Sequence, residues 1–592
     1  MQEPRVDFYF QPRRDDRSAR HDDADGAPGL VTLPTALLER HGARALNPEN
    51  AVAIPGQPAD QPPVRSTVYR ARTLLVPDSL QRDMQFIDIV NAALGRVGMT
   101  LEPTPSPDYR ELQRRNPDLA AALQELPRVA VLKPARNDDE PAHPRVVDAW
   151  VALQTLREAA REQKQKQPAW RRRRHAVLDV ATVATISLEH LLISSSISGT
   201  GAHGTGGGLT PGASDTGPAP TDSYTFFSGD TRLPVAVCLD APERRDGVPE
   251  HGRRPVVAVL DTGIREHPWL DVTRAATGGG YQTEPDGFVM IDAAMQGIIR
   301  AEGEAAETEG DRPRQVIKHA WDTPVTADPL LGELDTDTGH CTFISGIVRQ
   351  VAPDARVLAI RIMHGDGIVN EGDILCALAQ LAARVALAEA GDMNEMVDVV
   401  SLSLGYFSEA GDAALTSGLK QAIDILLGLG VTVVAAAGNY STSRKFYPAA
   451  FASQNKPDQV PVVSVGALNP DRSQAVFSDG GRWITAWACG AIMISTFPVD
   501  VRGSQTPEIR MRTHPDNAPP PGLGLPDERA ALDPDDYRGG FAAWSGTSFS
   551  APLAAAHIAR ELLRQELRLD GKGEDCARKR ALAALKKLGW EG

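Results

Sequence analysis

Five short apolar runs constrain this chain more than any other feature: Val256 to Leu260, Val357 to Ile362, Val397 to Leu402, Val431 to Ala436 and Val462 to Val465. They are rich in β-branched residues and lack the polar alternation of a strand with one wet face. Such runs suit a sheet covered on both sides. The pattern predicts an α/β fold in three layers, with a mainly parallel central sheet between helices.

Polar residues with chemical potential stand beside these runs. Val256 to Leu260 ends in Asp261-Thr262-Gly263. A carboxylate at the end of a parallel strand lies at the crevice where open α/β sheets place their chemistry, although an Asx turn would use the same residue. His340 opens the small and apolar stretch Cys341 to Val348, which fits a buried helix carrying the imidazole in its first turn. A lone structural histidine would read the same way. Ser548 lies in Ser545-Gly546-Thr547-Ser548-Phe549-Ser550-Ala551-Pro552, before the helical run Leu553 to Leu563. Gly546 permits close approach, Pro552 suits a first helical turn, and free N–H groups at a helix start stabilise developing negative charge. An N-cap serine is the alternative. Val431 to Ala437 runs into Gly438-Asn439, where a carboxamide can donate to an oxyanion or simply make a turn. Together the four residues supply an acid, an imidazole, a hydroxyl and an amide donor.

On these motifs the chain resembles the subtilisin-like serine proteases, peptidase family S8, whose pattern is DTG or DSG, then HGTH with a following VAG, then GTSMA(A/S)P. Further similarity lies in Ile264, His267, Pro268 and Leu270, in Val400 to Gly405, in Phe446-Tyr447-Pro448-Ala449 and in Val462 to Ala467. It spans Val256 to Leu569, with the motifs in family order. The resemblance implies a subtilisin-like fold and a serine endopeptidase acting on protein or peptide through an acyl-enzyme. Asp261 would be the acid, His340 the base, Ser548 the nucleophile and Asn439 the oxyanion donor. Ser403, Leu404 and Gly405, with Ala437 and Gly438, would bind the substrate backbone. The other reading is a latent or inactive protease scaffold serving as a binding or regulatory module. Against the family pattern, Cys341 follows the base, Phe343 and Ile344 replace His-Val, Phe549 replaces Met, and Cys489 stands in an Ala-Pro-Gly position. None removes a catalytic atom. Cys341 is either a thiol sensitive to oxidants and mercurials or an inert buried residue.

The protease module is assigned to 224–592, with insertions near 271–334 and 498–540. The first, with its acidic run Glu302 to Asp311, reads as a surface excursion. The second either covers the cleft or is a tolerated loop. Ahead of the module, 1–60 reads as a flexible region. Residues 61–135 carry a β-α-β pattern, with strands at Ser66 to Val76 and Arg128 to Leu132 and a helix at Ser79 to Leu94. This is either a ferredoxin-like prodomain or a separate accessory domain, making an N-terminal α+β region. Residues 136–197 read as a mainly helical connection, with Val177 to Ile197 a buried helix or strand-helix unit rather than a membrane span. The Gly/Ser/Pro-rich stretch 198–223 reads as a linker and a place for processing. With a net charge of −15, the Arg171 to Arg174 cluster reads as solvated, and no nucleic acid is expected.

Five widely spaced cysteines suit a reducing compartment, and no basic-then-apolar leader is read at the N-terminus, so a cytoplasmic protein is expected. No metal spacing is present and the chemistry needs no cofactor; structural calcium, oligomeric state and a regulatory protein partner are left open.

Overall fold

The structure, a computed structural model, describes residues 7–12, 31, 33–48, 64–135, 146–166, 178–196, 224, 231–247, 252–277, 280–307, 315–324, 326–328, 333–390, 395–409, 417–503, 509–564 and 574–591. The arginine cluster and the 198–223 stretch lie outside the described residues.

The apolar runs form the predicted sheet. In spatial order, its strands are Phe8–Phe10, Ala486–Cys489, Val462–Leu468, Thr432–Ala436, Val399–Leu402, Val256–Asp261, Arg356–Arg361 and Val289–Ile291. All neighbours are parallel except Phe8–Phe10, which runs antiparallel to Ala486–Cys489 at the edge. Side chains alternate between two cores, as strand geometry demands. Ala258, Leu260, Val400, Leu402, Val433 and Ala435 enter the core shared with helices Ala293–Ala305, Glu371–Ala390 and Gly418–Gly428. Val257, Val259, Val399, Val434 and Ala436 face the opposite core, shared with His340–Val351 and Thr547–Leu562. Three layers follow from that alternation.

Described residues between 33 and 196 form a second α+β unit. Strands Thr67–Pro77, Met99–Glu102, Pro127–Pro134 and Ser187–Ser194 make antiparallel pairs, and Ala43–Leu46 adds to Thr67–Pro77. Helices Met84–Leu94 and Ala149–Lys166 cover one face through Phe86, Val90, Trp150 and Leu153. Leu75, Val129, Leu123 and Leu126 join the core of Glu371–Ala390, so the two units share buried apolar surface. Arg128 adds a 2.6 Å ion pair to Glu302 and a 3.0 Å pair to Asp78.

Several expectations change. The 271–334 insertion is not merely a surface excursion: Val289–Ile291 extends the central sheet, and Ala293–Ala305 buries Met295 and Ile299. The apolar periodicity of that segment outweighs its charge, and even Glu302 of the acidic run lies in the helix. Within 1–60, Phe8–Phe10, Thr35–Arg40 and Ala43–Leu46 are regular elements rather than a flexible stretch. The helix read at Ser79 to Leu94 divides into Asp78–Gln81 and Met84–Leu94, because the Asp83 side chain caps the second helix through the N–H groups of Gln85 and Phe86. Pro552 sits inside its helix, not in the first turn. In 498–540, Arg510–Arg512 and Glu528–Ala530 form a hairpin exposed at every residue. Its base is tied down where Asp500 accepts from Arg265 at 2.9 Å and from Tyr281 at 2.5 Å.

Candidate active site

The fold brings the distant motif residues to one end of the central sheet. Asp261 is the last residue of its strand, and both carboxylate oxygens accept from His340 Nδ1, at 2.8 and 2.9 Å. Its Oδ1 also takes the Thr262 N–H at 2.7 Å. His340 begins its helix after Gly339, which has φ 83°. A Cβ at Gly339 would also lie 2.6 Å from the Phe497 ring, so only glycine fits there. Asp322 accepts the Gly339 N–H at 2.7 Å, and burial pushes its carboxyl up to about 6.

Both Asp261 and His340 are fully buried. Burial alone would depress the imidazole, but the adjacent Asp261 carboxylate, with Asp337 and Asp322 farther off, raises its pKa above the ordinary value. Nε2 is buried without a hydrogen-bond partner among the described residues. Trp544 and Phe549 pack around the ring at 5.3 and 5.4 Å between centroids.

Ser548 is the second residue of Thr547–Leu562. Pro552 has no N–H with which to bond the Ser548 carbonyl four residues back. The Ser403 hydroxyl takes that place, donating to Ser548 O at 2.9 Å, while Ser548 Oγ donates to Ser403 O at 3.2 Å. The carboxamide of Asn439 is fixed by its neighbours: Oδ1 accepts from Thr547 N and Thr547 Oγ1, each at 2.9 Å. That acceptor assignment turns Nδ2 toward the cleft. Asp479 clamps the same loop, accepting from Tyr440 N at 2.9 Å and Thr442 N at 3.0 Å. Burial pushes its carboxyl well above the ordinary range.

The cleft is filled by the chain itself. Ser187–Ser194 lies antiparallel between Ile368–Asn370 and Leu404–Gly405, with Ile193 opposite both Ile368 and Gly405. Ser195 N donates to Ser403 O at 2.9 Å. The Ser195 carbonyl then accepts from Ser548 N at 2.9 Å and from Asn439 Nδ2. Ser196 forms an antiparallel bridge with Gly546, and its hydroxyl donates to Asp337 at 2.6 Å. Ser403, Leu404 and Gly405 thus contact an extended strand, as do the elements around Gly438. Ala437 is buried in the core at the end of its strand.

The subtilase family profile matches residues 252–567, more than half of the chain. The chain belongs to the subtilase family. It is 31% identical over 167 residues to a thermophilic serine proteinase from Bacillus sp. strain AK1, covering 28% of this chain and 34% of that one. It is 29% identical over 223 residues to Subtilisin BL of Lederbergia lenta, covering 34% and 74%. It is 31% identical over 173 residues to Subtilisin DY of Bacillus licheniformis, covering 27% and 54%. The chain therefore spans between a third and three quarters of the length of these relatives. Membership agrees with the fold predicted from the apolar runs.

Sequence reading alone missed Ser195, Ser196, Asp322, Asp337, Asp479 and the orienting Thr547. Thr547, beside Ser548 in a motif already singled out, was the accessible one. Cys341 is buried, and burial pushes its thiol well above the ordinary value, which favours the inert reading. Among the described residues no cluster of His, Cys, Asp or Glu could hold a metal ion, and no helix is long and apolar enough to cross a membrane.

Proposed function

We propose that the protein is a serine endopeptidase that uses Asp261, His340 and Ser548, is assisted by Asn439, and is held latent by its own residues 187–196. The observation that carries this reading is the Ser195 carbonyl, which accepts from both Ser548 N and Asn439 Nδ2. Two donors converging on one carbonyl oxygen are the arrangement that stabilises a tetrahedral oxyanion. The antiparallel pairing around it gives main-chain recognition of an extended peptide.

The Ser195–Ser196 bond is then the chain's own candidate for cleavage. Turning the Ser548 hydroxyl from Ser403 O toward His340 Nε2 lets the imidazole take its proton while Oγ bonds to the Ser195 carbonyl carbon. Collapse of the tetrahedral species breaks the bond to Ser196 N, which leaves with the proton from Nε2. Water, deprotonated by the same imidazole, hydrolyses the resulting ester. Asp261 keeps Nδ1 protonated and balances the imidazolium. Until residues 187–196 leave, they exclude other peptides, so the region before 196 acts as a prodomain.

Fluorophosphonate labelling and N-terminal sequencing of the full-length protein, beside Ser548→Ala, test this. The expected result is a fragment beginning at Ser196 in the unaltered protein, an intact Ser548→Ala chain, and a label on Ser548 once the N-terminal fragment is displaced. An unlabelled, uncleaved and folded protein would overturn the reading.

A further inference from the structure

The size of the slot beneath Ser195 carries an inference about which peptides the site accepts, and it rests on the reading that Ser195 supplies the scissile carbonyl. Ser195 is held on one side by Ser403 O and on the other by Asn439 Nδ2. Its side chain therefore enters between Ser403–Gly405 and the loop at Gly438. Both walls carry a glycine facing the same ring. A Cβ at Gly405 would lie 2.4 Å from Phe446 Cε1, 2.5 Å from Tyr447 O and 2.7 Å from Phe446 Cδ1, and one at Gly438 would lie 2.3 Å from Asp479 Oδ2 and 3.1 Å from Phe446 Cδ1. One edge of Phe446 thus touches both walls and closes the space between them.

The ring is fully buried and is packed by Phe407 at 5.1 Å and Tyr440 at 5.5 Å. Interiors packed to this density leave a phenyl group no vacant place to swing into. Ser195 Oγ is buried with no hydrogen-bond partner among the described residues.

We propose that Phe446 is a specificity-determining residue that makes the slot shallow and restricts the residue before the cleaved bond to Gly, Ala or Ser. Peptides with a large aliphatic or aromatic side chain at that position are rejected because it would overlap the ring. Ser195 Oγ makes no hydrogen bond there among the described residues, so Ala serves as well as Ser.

Two measurements on the full-length chain test this. In the first, self-cleavage is followed for Ser195→Ala, Ser195→Leu and Ser195→Phe with Phe446 unaltered. Ala should cleave within about fivefold of the native rate and Leu and Phe at least 100-fold more slowly, with Phe446→Gly restoring cleavage of the Phe version at least tenfold. In the second, Ser548→Ala protein carries the same Ser195 changes, and melting reads whether the slot admits the side chain. Ser195→Phe should lower Tm by about 3 °C or more and Ser195→Ala should not. Equal cleavage of Ser195→Phe and the native chain, or an unshifted Tm, overturns the proposal. If Phe446→Gly fails to fold, the Ser195 series decides alone. If the native chain does not cleave, the protease reading fails while the melting series still measures the slot.

Discussion

At the residue scale, the site depends on groups that hold other groups. Asn439 can donate into the cleft because Thr547 occupies its oxygen twice. Replacing Asn439 with Ala should lower kcat by about 10²–10³-fold, the range that loss of one oxyanion donor costs in subtilisin. Steady-state kinetics on processed protein checks this, and a loss confined to KM would contradict the role. Asp337 accepts from the Ser196 hydroxyl, on the leaving side of the proposed scissile bond. Asp337→Ala should slow self-cleavage by about tenfold, as expected for a lost hydrogen bond to a charged group. It should have little further effect in a Ser196→Ala chain, and additivity in that double-mutant cycle would exclude coupling between the two. Asp261, His340, Asn439 and Ser548 were legible in the sequence because each lies in a short motif that borders an apolar or helical run. Asp337, Asp322 and Asp479 were not, since each lies among other small or polar residues and acquires its partner only through tertiary contact.

At the scale of elements, Ser187–Ser194 connects the two units. Its sequence, Ser-Leu-Glu-His-Leu-Leu-Ile-Ser, mixes charge into an apolar run, and single-chain periodicity could not separate helix from strand. The structure explains the charge. His190 Nδ1 meets Glu371 at 2.7 Å, Nε2 meets Glu409 at 2.8 Å, and the ring stacks on Tyr406 at 4.5 Å. Arg157 adds a positive field at Glu409. Burial opposes the imidazolium, but the Glu409 and Glu371 carboxylates outweigh it and raise His190 to about 10. A released strand would titrate near the ordinary value of about 6.5. The contribution of the raised histidine is therefore complete below about pH 6.5 and is lost as pH rises through about 10. Glu409 acts in the other direction. Burial alone would raise it, but His190 lowers it to about 2, so its contribution is complete above its ordinary pKa and is lost as pH falls from there through about 2. Release of the N-terminal fragment from processed protein should be faster at pH 9 than at pH 6. His190→Gln should flatten that dependence. Fluorescence or gel-filtration release kinetics would read it, and identical profiles for both proteins would contradict it.

At the scale of the whole molecule, the central sheet was legible because its runs, though short, are apolar on both faces and recur along the chain. The N-terminal edge strand was not, because Phe8–Phe10 is too short to announce itself. It is nevertheless built into the protease unit. Phe8 stacks on His557 at 5.3 Å, Phe10 meets Trp590 at 5.5 Å, and Gln11 accepts from Trp487 Nε1 at 3.0 Å. Deleting residues 1–12 should expose the edge of Ala486–Cys489 and speed loss of the cleaved N-terminal fragment by about tenfold or more. Size-exclusion chromatography of the processed protein measures this, and unchanged co-elution on dilution would contradict it.

Cleavage after Ser195 would leave the severed piece fastened at several separate places, among them its tail in the cleft, the core it shares with Glu371–Ala390 and Phe8–Phe10 on the sheet. A ligand tied at both ends rebinds one end before the other lets go, so the first escape is seldom the last. A nick between these fastenings would divide one multiply held inhibitor into pieces that each hold by fewer points. Full activity would then be timed by a second proteolytic event rather than by the first.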